Sequence, residues 1–194
     1  MAINSITRAT ASDAADFINA LGFDGLEANA SSGALTITYN GYNVISGTNC
    51  YYNYGNTSYS YTTNSNHYYT ILSCTNGLIV SEYSSTSTDY MGGCVVLSYN
   101  SDGTLIYSAT PGGGQISNCY VVRNDLPNTK TNNFYRREAN VTALMSLVSA
   151  APVGDENVIA ENAYCVPYYQ YTGTGVLTIE GNNYVTNGYY CIKD

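Results

Sequence analysis

Residues 33–47 read GALTITYNGYNVISG, and this stretch decides the fold class. From Leu35 to Tyr39, apolar residues alternate with threonines, which is the two-residue period of a half-buried β-strand. Asn40 and Gly41 follow, and a second alternating run comes after them. Asn-Gly between two such runs is the strongest short-range signal for a β-hairpin, because a type I′ turn needs positive φ at both central residues. The stretch therefore predicts an antiparallel hairpin.

The same pattern recurs along the chain. Residues 95–109, VVLSYNSDGTLIYSA, predict a second hairpin that turns through residues 100–103. Further strands are predicted at about residues 70–74, 77–83 and 118–123. Residues 141–149 fit one face of a helix or one face of a strand equally well, so the pattern leaves both open. Many short strands joined by Gly, Asn and Ser turns predict a mainly β chain, an antiparallel β-sandwich or a barrel-like domain.

One segment predicts a short N-terminal helix, at about residues 13–21. Ser12 is the expected N-cap and Gly22 the expected stop. The acidic and apolar residues fit this helix, with two carboxylates near its positive end and three apolar side chains on one face: Asp13, Asp16, Phe17, Ala20 and Leu21. We expect an N-terminal helical arm over residues 1–32 and a β-rich domain over residues 33–194.

The first hairpin has an echo near the end of the chain. Residues 175–188, GVLTIEGNNYVTNG, align with residues 33–47 if Asn43 is skipped. Two hairpins that converged on the same turn chemistry explain the likeness, and so does an old duplication. Two copies are too few for a solenoid or a propeller.

Composition narrows the classes of partner. The net charge is −8 and only 10% of residues are charged, so phosphate backbones and anionic membrane surfaces would be repelled. We therefore expect neither nucleic acid nor a membrane as a partner. The first residues, MAINSITRAT, lack the hydrophobic region of a signal peptide, which predicts assembly in a cytoplasm.

The six cysteines contain no CxxC pair, so a zinc ribbon or a thioredoxin motif is not indicated. Most of them lie beside strand-like residues and fit buried, reduced thiols; disulfides formed outside the cell are the alternative. We expect no metal and no cofactor.

Catalytic signals are sparse. The single histidine is His67, within NSNHYYT, and no Gly-x-Ser-x-Gly context accompanies it. A Cys–His pair would have to meet in space, and a surface role on a sheet is the simpler interpretation. We do not expect an enzyme.

The tyrosines and a basic cluster are the candidate contact residues. Residues 50–70 hold seven tyrosines and no charged residue, a composition typical of protein–protein contacts or of a sugar-stacking platform: Tyr51, Tyr52, Tyr54, Tyr59, Tyr61, Tyr68 and Tyr69. The absence of Trp from the chain argues against the sugar platform. Four of the six basic residues lie close together and form either a docking patch or an ordinary solvated surface: Arg123, Lys130, Arg136 and Arg137.

The C-terminal residues 161–194 carry a resemblance to a known group. ENAYCVPYYQYTGTGVLTIEGNNYVTNGYYCIKD resembles the endings of small structural proteins of tailed bacteriophages and prophages, which have a PYxQY segment, an I-(D/E)-G-x-x-Y-x-T-N-G-Y hairpin and a closing strand. The matching positions are Pro167, Tyr168, Gln170, Tyr171, Ile179, Glu180, Gly181, Tyr184, Thr186, Asn187, Gly188, Tyr189, Ile192 and Asp194. Cys191 stands where a small residue is expected. The resemblance implies a virion component of the head, neck or tail, whose partners are copies of itself and other virion proteins. It also implies an extended segment before the ending, so we favour a strand over residues 141–149.

These expectations combine into a leading hypothesis of a non-enzymatic structural subunit, assembled through its Tyr- and Asn-rich surface. The alternative is a carbohydrate- or receptor-binding β-sandwich module, with a glycan as its partner.

Overall fold

The computed structural model describes residues 3–46, 49–54, 57–62, 67–83, 91–111, 118–120, 134–136, 144–148, 158–166 and 174–194. The elements follow in chain order: β1 (Asn4–Ala9), α1 (Ala11–Leu21), β2 (Leu26–Ser31), β3 (Ala34–Tyr39), β4 (Tyr42–Ser46), β5 (Asn49–Tyr54), β6 (Thr57–Thr62), β7 (Tyr68–Cys74), β8 (Gly77–Tyr83), β9 (Met91–Tyr99), β10 (Leu105–Pro111), β11 (Asn118–Tyr120), β12 (Phe134–Arg136), β13 (Met145–Val148), β14 (Ile159–Cys165), β15 (Gly175–Ile179), β16 (Asn182–Thr186) and β17 (Tyr190–Lys193).

The strands form three five-stranded antiparallel sheets and one short pair. The central sheet has the order β1-β7-β8-β9-β10, the N-terminal sheet β2-β3-β4-β5-β6 and the C-terminal sheet β13-β14-β17-β16-β15. Strands β11 and β12 pair with each other. Over the described residues each sheet is open, so the arrangement is a sandwich of sheets and the predicted β-sandwich class is confirmed.

The central sheet is covered on both faces. Alternate residues of β8 belong to different cores: Leu78 and Val80 pack with α1 and the N-terminal sheet, whereas Ile79 packs with the C-terminal sheet. Every residue of β8 is buried for this reason. A strand with one solvated face would alternate apolar and polar residues, whereas the GLIV run at residues 77–80 is continuously apolar.

The helix is confirmed, with a different cap and a different buried face from those expected. Its N-cap is Thr10, whose hydroxyl accepts the Asp13 N–H at 3.2 Å, and Gly22 ends it in the left-handed conformation. The expected cap Ser12 is already inside the helix. The buried face consists of small side chains and one isoleucine, which let the helix lie close to the sheets: Ala11, Ala14, Ala15 and Ile18. Ala20, expected on the buried face, is exposed.

The first 32 residues, expected as an arm, contribute strands to two sheets. Strand β1 pairs with β7, and β2 pairs with β3. The cause is apolar burial: Ala9 and Leu26 enter the same core as the helix. The helix thus packs one face against this core and leaves the other exposed.

The predicted hairpins are confirmed. Strands β3 and β4 are joined by Asn40 and Gly41, with φ of 46° and 82°, as a type I′ turn requires. Strands β9 and β10 pair with each other and are joined by the predicted turn at residues 100–103. The strand favoured at residues 141–149 is confirmed over β13, and residues 141–143 and 149 lie outside the described residues. The strand predicted at 118–123 is confirmed over β11, and residues 121–123 lie outside the described residues.

The echo hairpin turns at a different place. Strands β15 and β16 pair around Glu180 and Gly181, both with positive φ. In the alignment, Asn182 is the counterpart of the turn residue Asn40, yet it lies in β16. The sequence likeness therefore does not correspond to an equivalent turn, which favours convergence on shared turn chemistry.

Asn187 fastens the C-terminal sheet to the central sheet. Its Oδ1 accepts the Tyr189 and Tyr190 N–H groups at 3.0 and 2.9 Å. Its Nδ2 donates across the interface to the Ser81 hydroxyl and the Cys94 sulfur, both at 3.1 Å. The Thr-Asn-Gly-Tyr segment is thus a turn that also bridges two sheets.

Candidate functional site

The tyrosine-rich segment forms the edge of the N-terminal sheet. We call β5 and β6 the tyrosine strand pair. Strand β6 is last in the sheet order and, among the described residues, pairs only with β5. The register sets Tyr52 opposite Tyr59 and Cys50 opposite Tyr61. These positions and Tyr54 therefore share one face of the pair, and Tyr51 lies on the other.

The two remaining candidate tyrosines have different environments. Tyr68, at the start of β7, is partly exposed. Tyr69 is fully buried, and its hydroxyl oxygen accepts the Leu35 N–H at 3.2 Å. Tyr69 is therefore a core residue that links the central and N-terminal sheets. A fully buried side chain cannot belong to the predicted contact surface, so Tyr69 is removed from it. Alternation along β7 sends neighbouring side chains to opposite faces.

The predicted basic patch falls mostly outside the described residues. Arg123, Lys130 and Arg137 lie there, and Arg136 is the final residue of β12. Whether these residues form one surface stays a prediction.

Four cysteines are buried free thiols, as expected from their strand-like surroundings: Cys74, Cys94, Cys165 and Cys191. Burial raises the pKa of Cys74 to about 11. It raises the pKa of Cys94 to about 12, against the opposing effect of hydrogen bonds from Asn187 and Ser81. A buried thiol with a raised pKa is a poor nucleophile at neutral pH, so Cys74 and Cys94 act as small apolar residues. In the described ranges, no cluster of three or more His, Cys, Asp and Glu residues is arranged to hold a metal ion.

The His67 pocket lies where three elements meet. It is about 340 Å³ in volume and is lined by the start of α1, by the turn between β2 and β3 and by the residues that open β7: Thr10, Ala11, Ser12, Ala30, Ser32, Gly33, His67 and Tyr68. Ser32 and Gly33 both have positive φ, which makes a two-residue hairpin turn that brings the sheet end close to the helix.

His67 is a buried polar residue of this pocket. It is 4% exposed, and its Nδ1 lies 2.6 Å from Oε1 of Glu82, which is itself 4% exposed. This contact has the distance of an ion pair but not the angle of a hydrogen bond, and neither ring nitrogen has a hydrogen-bond partner among the described residues. The second nitrogen, Nε2, is on the opposite edge of the ring.

The N-terminus of α1 supplies further donors to the pocket. Ala11 and Ser12 are the first two helical residues, so their N–H groups have no acceptor within the helix. The Thr10 hydroxyl is already engaged, since it donates to Oδ2 of Asp13 at 2.8 Å and accepts the Asp13 N–H. The Ser12 and Ser32 side chains add hydroxyl groups.

Sequence reasoning singled out His67 but assigned it to a sheet surface, and it missed Glu82, Ser12 and Ser32 as its neighbours. Glu82 occurs in an apolar strand, GLIVSEY, and a carboxylate in a strand that is buried on both faces needs a partner. The acidic residue in an otherwise apolar strand was therefore the sequence signal that could have revealed a partner for Glu82. The meeting of helix, turn and strand depends on the tertiary fold.

No family model, no curated protein and no solved structure matches this chain. Within the described residues, no helix combines the length and the hydrophobicity needed to cross a membrane.

Proposed function

We propose that the chain is a non-enzymatic structural subunit of a phage or phage-like virion, assembled in the host cytoplasm, and that its copies associate through the tyrosine strand pair. The observation that supports this most directly is the position of that pair. A polar, aromatic, uncharged strand, β6, is at the edge of a five-stranded sheet. Edge strands present unpaired backbone N–H and C=O groups and are templates for pairing with another chain.

The charge distribution also favours association of copies through the tyrosine strand pair. At a net charge of −8, two copies of the chain repel each other. Residues 50–70 contain no charged side chain, so an approach through β6 brings the least repulsion. Natural monomers protect exposed edges with charges, especially Lys, or with Pro, and β6 has neither.

The C-terminal resemblance supports the virion role. The segment it covers includes most of β14 and all of β15, β16 and β17, and its Thr-Asn-Gly-Tyr residues make a turn with an inter-sheet bridge. These residues stabilise the subunit itself, and we assign the contacts between subunits to the tyrosine strand pair.

The test is assembly of the purified chain, measured by size-exclusion chromatography with light scattering and by electron microscopy of native particles. Lysines placed on the edge strand, Ser58→Lys with Ser60→Lys, should dissociate the assembly. The matched control is Ser31→Lys, on β2 at the opposite edge of the same sheet, which should leave it intact. A stable wild-type monomer that is absent from particles, or equal effects of the two variants, contradicts the proposal.

A glycan-binding module is the second candidate, favoured by the register of the tyrosine strand pair. The register and strand alternation place positions 52, 54, 59 and 61 on the same face of the pair, and a stacking platform requires aromatic residues at such positions. A glycan array discriminates between the two. Saturable binding that is lost in Tyr54→Ala and kept in Tyr51→Ala would favour this candidate, because Tyr51 lies on the other face.

A further inference from the structure

We propose that copies of the chain associate head to tail, with β6 of one copy pairing with β15 of the next, so that each copy binds two neighbours. This inference rests on the proposed association through the tyrosine strand pair, and it names the surface that the pair binds. In the described part of the chain, β6 is the last strand of the N-terminal sheet and β15 is the last strand of the C-terminal sheet. The two strands therefore present two different edges of one molecule.

The symmetry of the contact is the reason to look for a second edge. A contact in which β6 meets β6 of another copy is isologous, and it joins only two copies. A contact between two different surfaces is heterologous, and it continues from copy to copy into a ring or a filament. A subunit that assembles in many copies through β6 therefore needs a different edge strand that receives β6.

Strand β15 has an open edge. Among the described residues it pairs only with β16, and both residues of the turn between them have positive φ. In such a two-residue hairpin the closing pair is hydrogen-bonded, and here that pair is Ile179 with Asn182. Alternation along the strand then directs the backbone N–H and C=O groups of Val176 and Thr178 away from β16, towards the free edge. These groups are available to a strand of another copy.

The composition of β15 lacks the features that protect natural edges. Its sequence, GVLTI, contains no charged residue and no Pro. Val176 is 58% exposed, and the Thr178 side chain is exposed as well. The charged residue of this hairpin, Glu180, belongs to the turn beyond the end of β15. At a net charge of −8, an uncharged edge is a surface that a second copy can approach with little repulsion, and β6 is uncharged too.

The other described edges are protected. On β2, the Asn19 side chain from α1 binds both backbone groups of Ala28, donating to its C=O at 2.7 Å and accepting its N–H at 2.9 Å. Strand β1 contains a bulge and carries Arg8, and both features disfavour pairing with another chain. Strand β10 ends in Pro111 and lies against β5 and β11, and the four-residue β13 lies against β10 and β11. Of the edges that the structure describes, β15 is thus the best partner for β6.

The experiment mixes two variants of the full chain, each blocked at one edge. Ser58→Lys with Ser60→Lys blocks β6, and Val176→Lys with Thr178→Lys blocks β15. Each variant alone should be monomeric at a concentration at which the wild-type chain assembles, because a contact needs one edge of each kind. An equimolar mixture should form a heterodimer, since each variant supplies the edge that the other lacks. Its mass by light scattering should be about twice the 20.9 kDa of one chain.

Matched controls test whether the substitutions act at the edge. Thr178→Lys and Asn183→Lys each add one lysine and remove the same hydrogen bond, in which the Thr178 hydroxyl donates to Oδ1 of Asn183 at 3.0 Å. Because Asn183 lies on β16, between β15 and β17, only Thr178→Lys should weaken assembly.

Thr178→Pro blocks the edge without adding charge. It removes an N–H that faces away from β16, and edge strands accept Pro at such positions. The variant alone should be monomeric, and its mixture with the Ser58→Lys, Ser60→Lys variant should still form the heterodimer. A misfolded chain would not form it, so the mixture also checks the fold.

Four outcomes overturn this pairing while association through β6 still holds. They are a dimer of the β15 variant alone, wild-type assembly by the β15 variant, a mixture that stays monomeric, and equal effects of Thr178→Lys and Asn183→Lys. A dimer of the β6 variant alone also overturns it, because that result indicates pairing of β15 with β15. A wild-type chain that is monomeric and absent from particles contradicts the proposed function and this inference together, so the two failures are distinguishable.

Discussion

Replacing Asn187 by Ala should uncouple the C-terminal sheet from the central sheet. The variant removes the acceptor of two backbone N–H groups and the donor to Ser81 and Cys94. At about 1 kcal/mol for each bond, with more for buried groups left unsatisfied, the free energy of unfolding should fall by about 3–5 kcal/mol. For a chain of this length that corresponds to a loss of about 10 °C or more in Tm. Urea unfolding and calorimetry measure both quantities.

A double-mutant cycle isolates the inter-sheet bond. Ser81→Ala removes only the Ser81 end of the bridge, and its coupling with Asn187→Ala should be about 1 kcal/mol. The control is Asn183→Ala, in β16, where an exposed asparagine accepts one hydrogen bond from Thr178, and a loss below about 0.5 kcal/mol is expected. A coupling of zero, or equal losses for Asn187→Ala and Asn183→Ala, would refute the bridge.

Three further predictions concern the backbone and the thiols. Gly77→Ala should cost about 3–5 kcal/mol, because φ is 151° and the new Cβ would overlap the Leu97 carbonyl; Gly103→Ala, with φ of 83° and open space, should cost only about 1–2 kcal/mol, and equal Tm losses would contradict the steric argument. Glu180→Asn should raise stability by about 0.5–1 kcal/mol, since Asn tolerates the left-handed φ of 50° better, and an unchanged urea midpoint would contradict it. Burial raises the pKa of Cys74 from 9.0 to about 11, so above pH 9 the unfolded chain loses this proton first, and this thiol lowers the stability by up to about 1.4 kcal/mol per pH unit; because the pKa of Cys94 is raised in the same way, Cys74→Ala should reduce the slope between pH 9 and 11 by about that amount without abolishing it, and an unchanged slope would contradict it.

Local chemistry explains which parts of the fold the sequence predicts. The hairpin at Asn40 and Gly41 depends on the φ of two adjacent residues, so a short stretch suffices to predict it. The helix was also predictable, but its buried face was not, because Phe17 and Leu21 are more apolar than Ala14 and the choice of face depends on how closely the sheets lie. The stacking of three sheets was missed for the same reason: the fully buried β8 has no local signature of what covers each side.

One candidate site is contiguous in sequence and could be predicted, whereas the other is assembled by the tertiary fold and could not. The tyrosines of residues 50–70 could be singled out because they are contiguous in sequence, although Tyr69 turned out to be a core residue. The His67 pocket was not predicted, since Ser12, Ser32 and His67 come from three separate elements. Glu82 and His67 are brought together by the pairing of β7 with β8, and only the register shows that they meet.

The position of β17 has a consequence for how the chain is made. It lies between β14 and β16, and the residues at its end bind the turn after β7, where the Thr75 N–H meets Oδ1 of Asp194 at 2.9 Å. The ribosome releases β17 after all the other strands of its sheet. Until then β14 and β16 have no common neighbour, and one face of the central sheet is uncovered. Nascent chains should therefore need protection by chaperones until translation reaches these residues, and trimming them should trap an incompletely folded species.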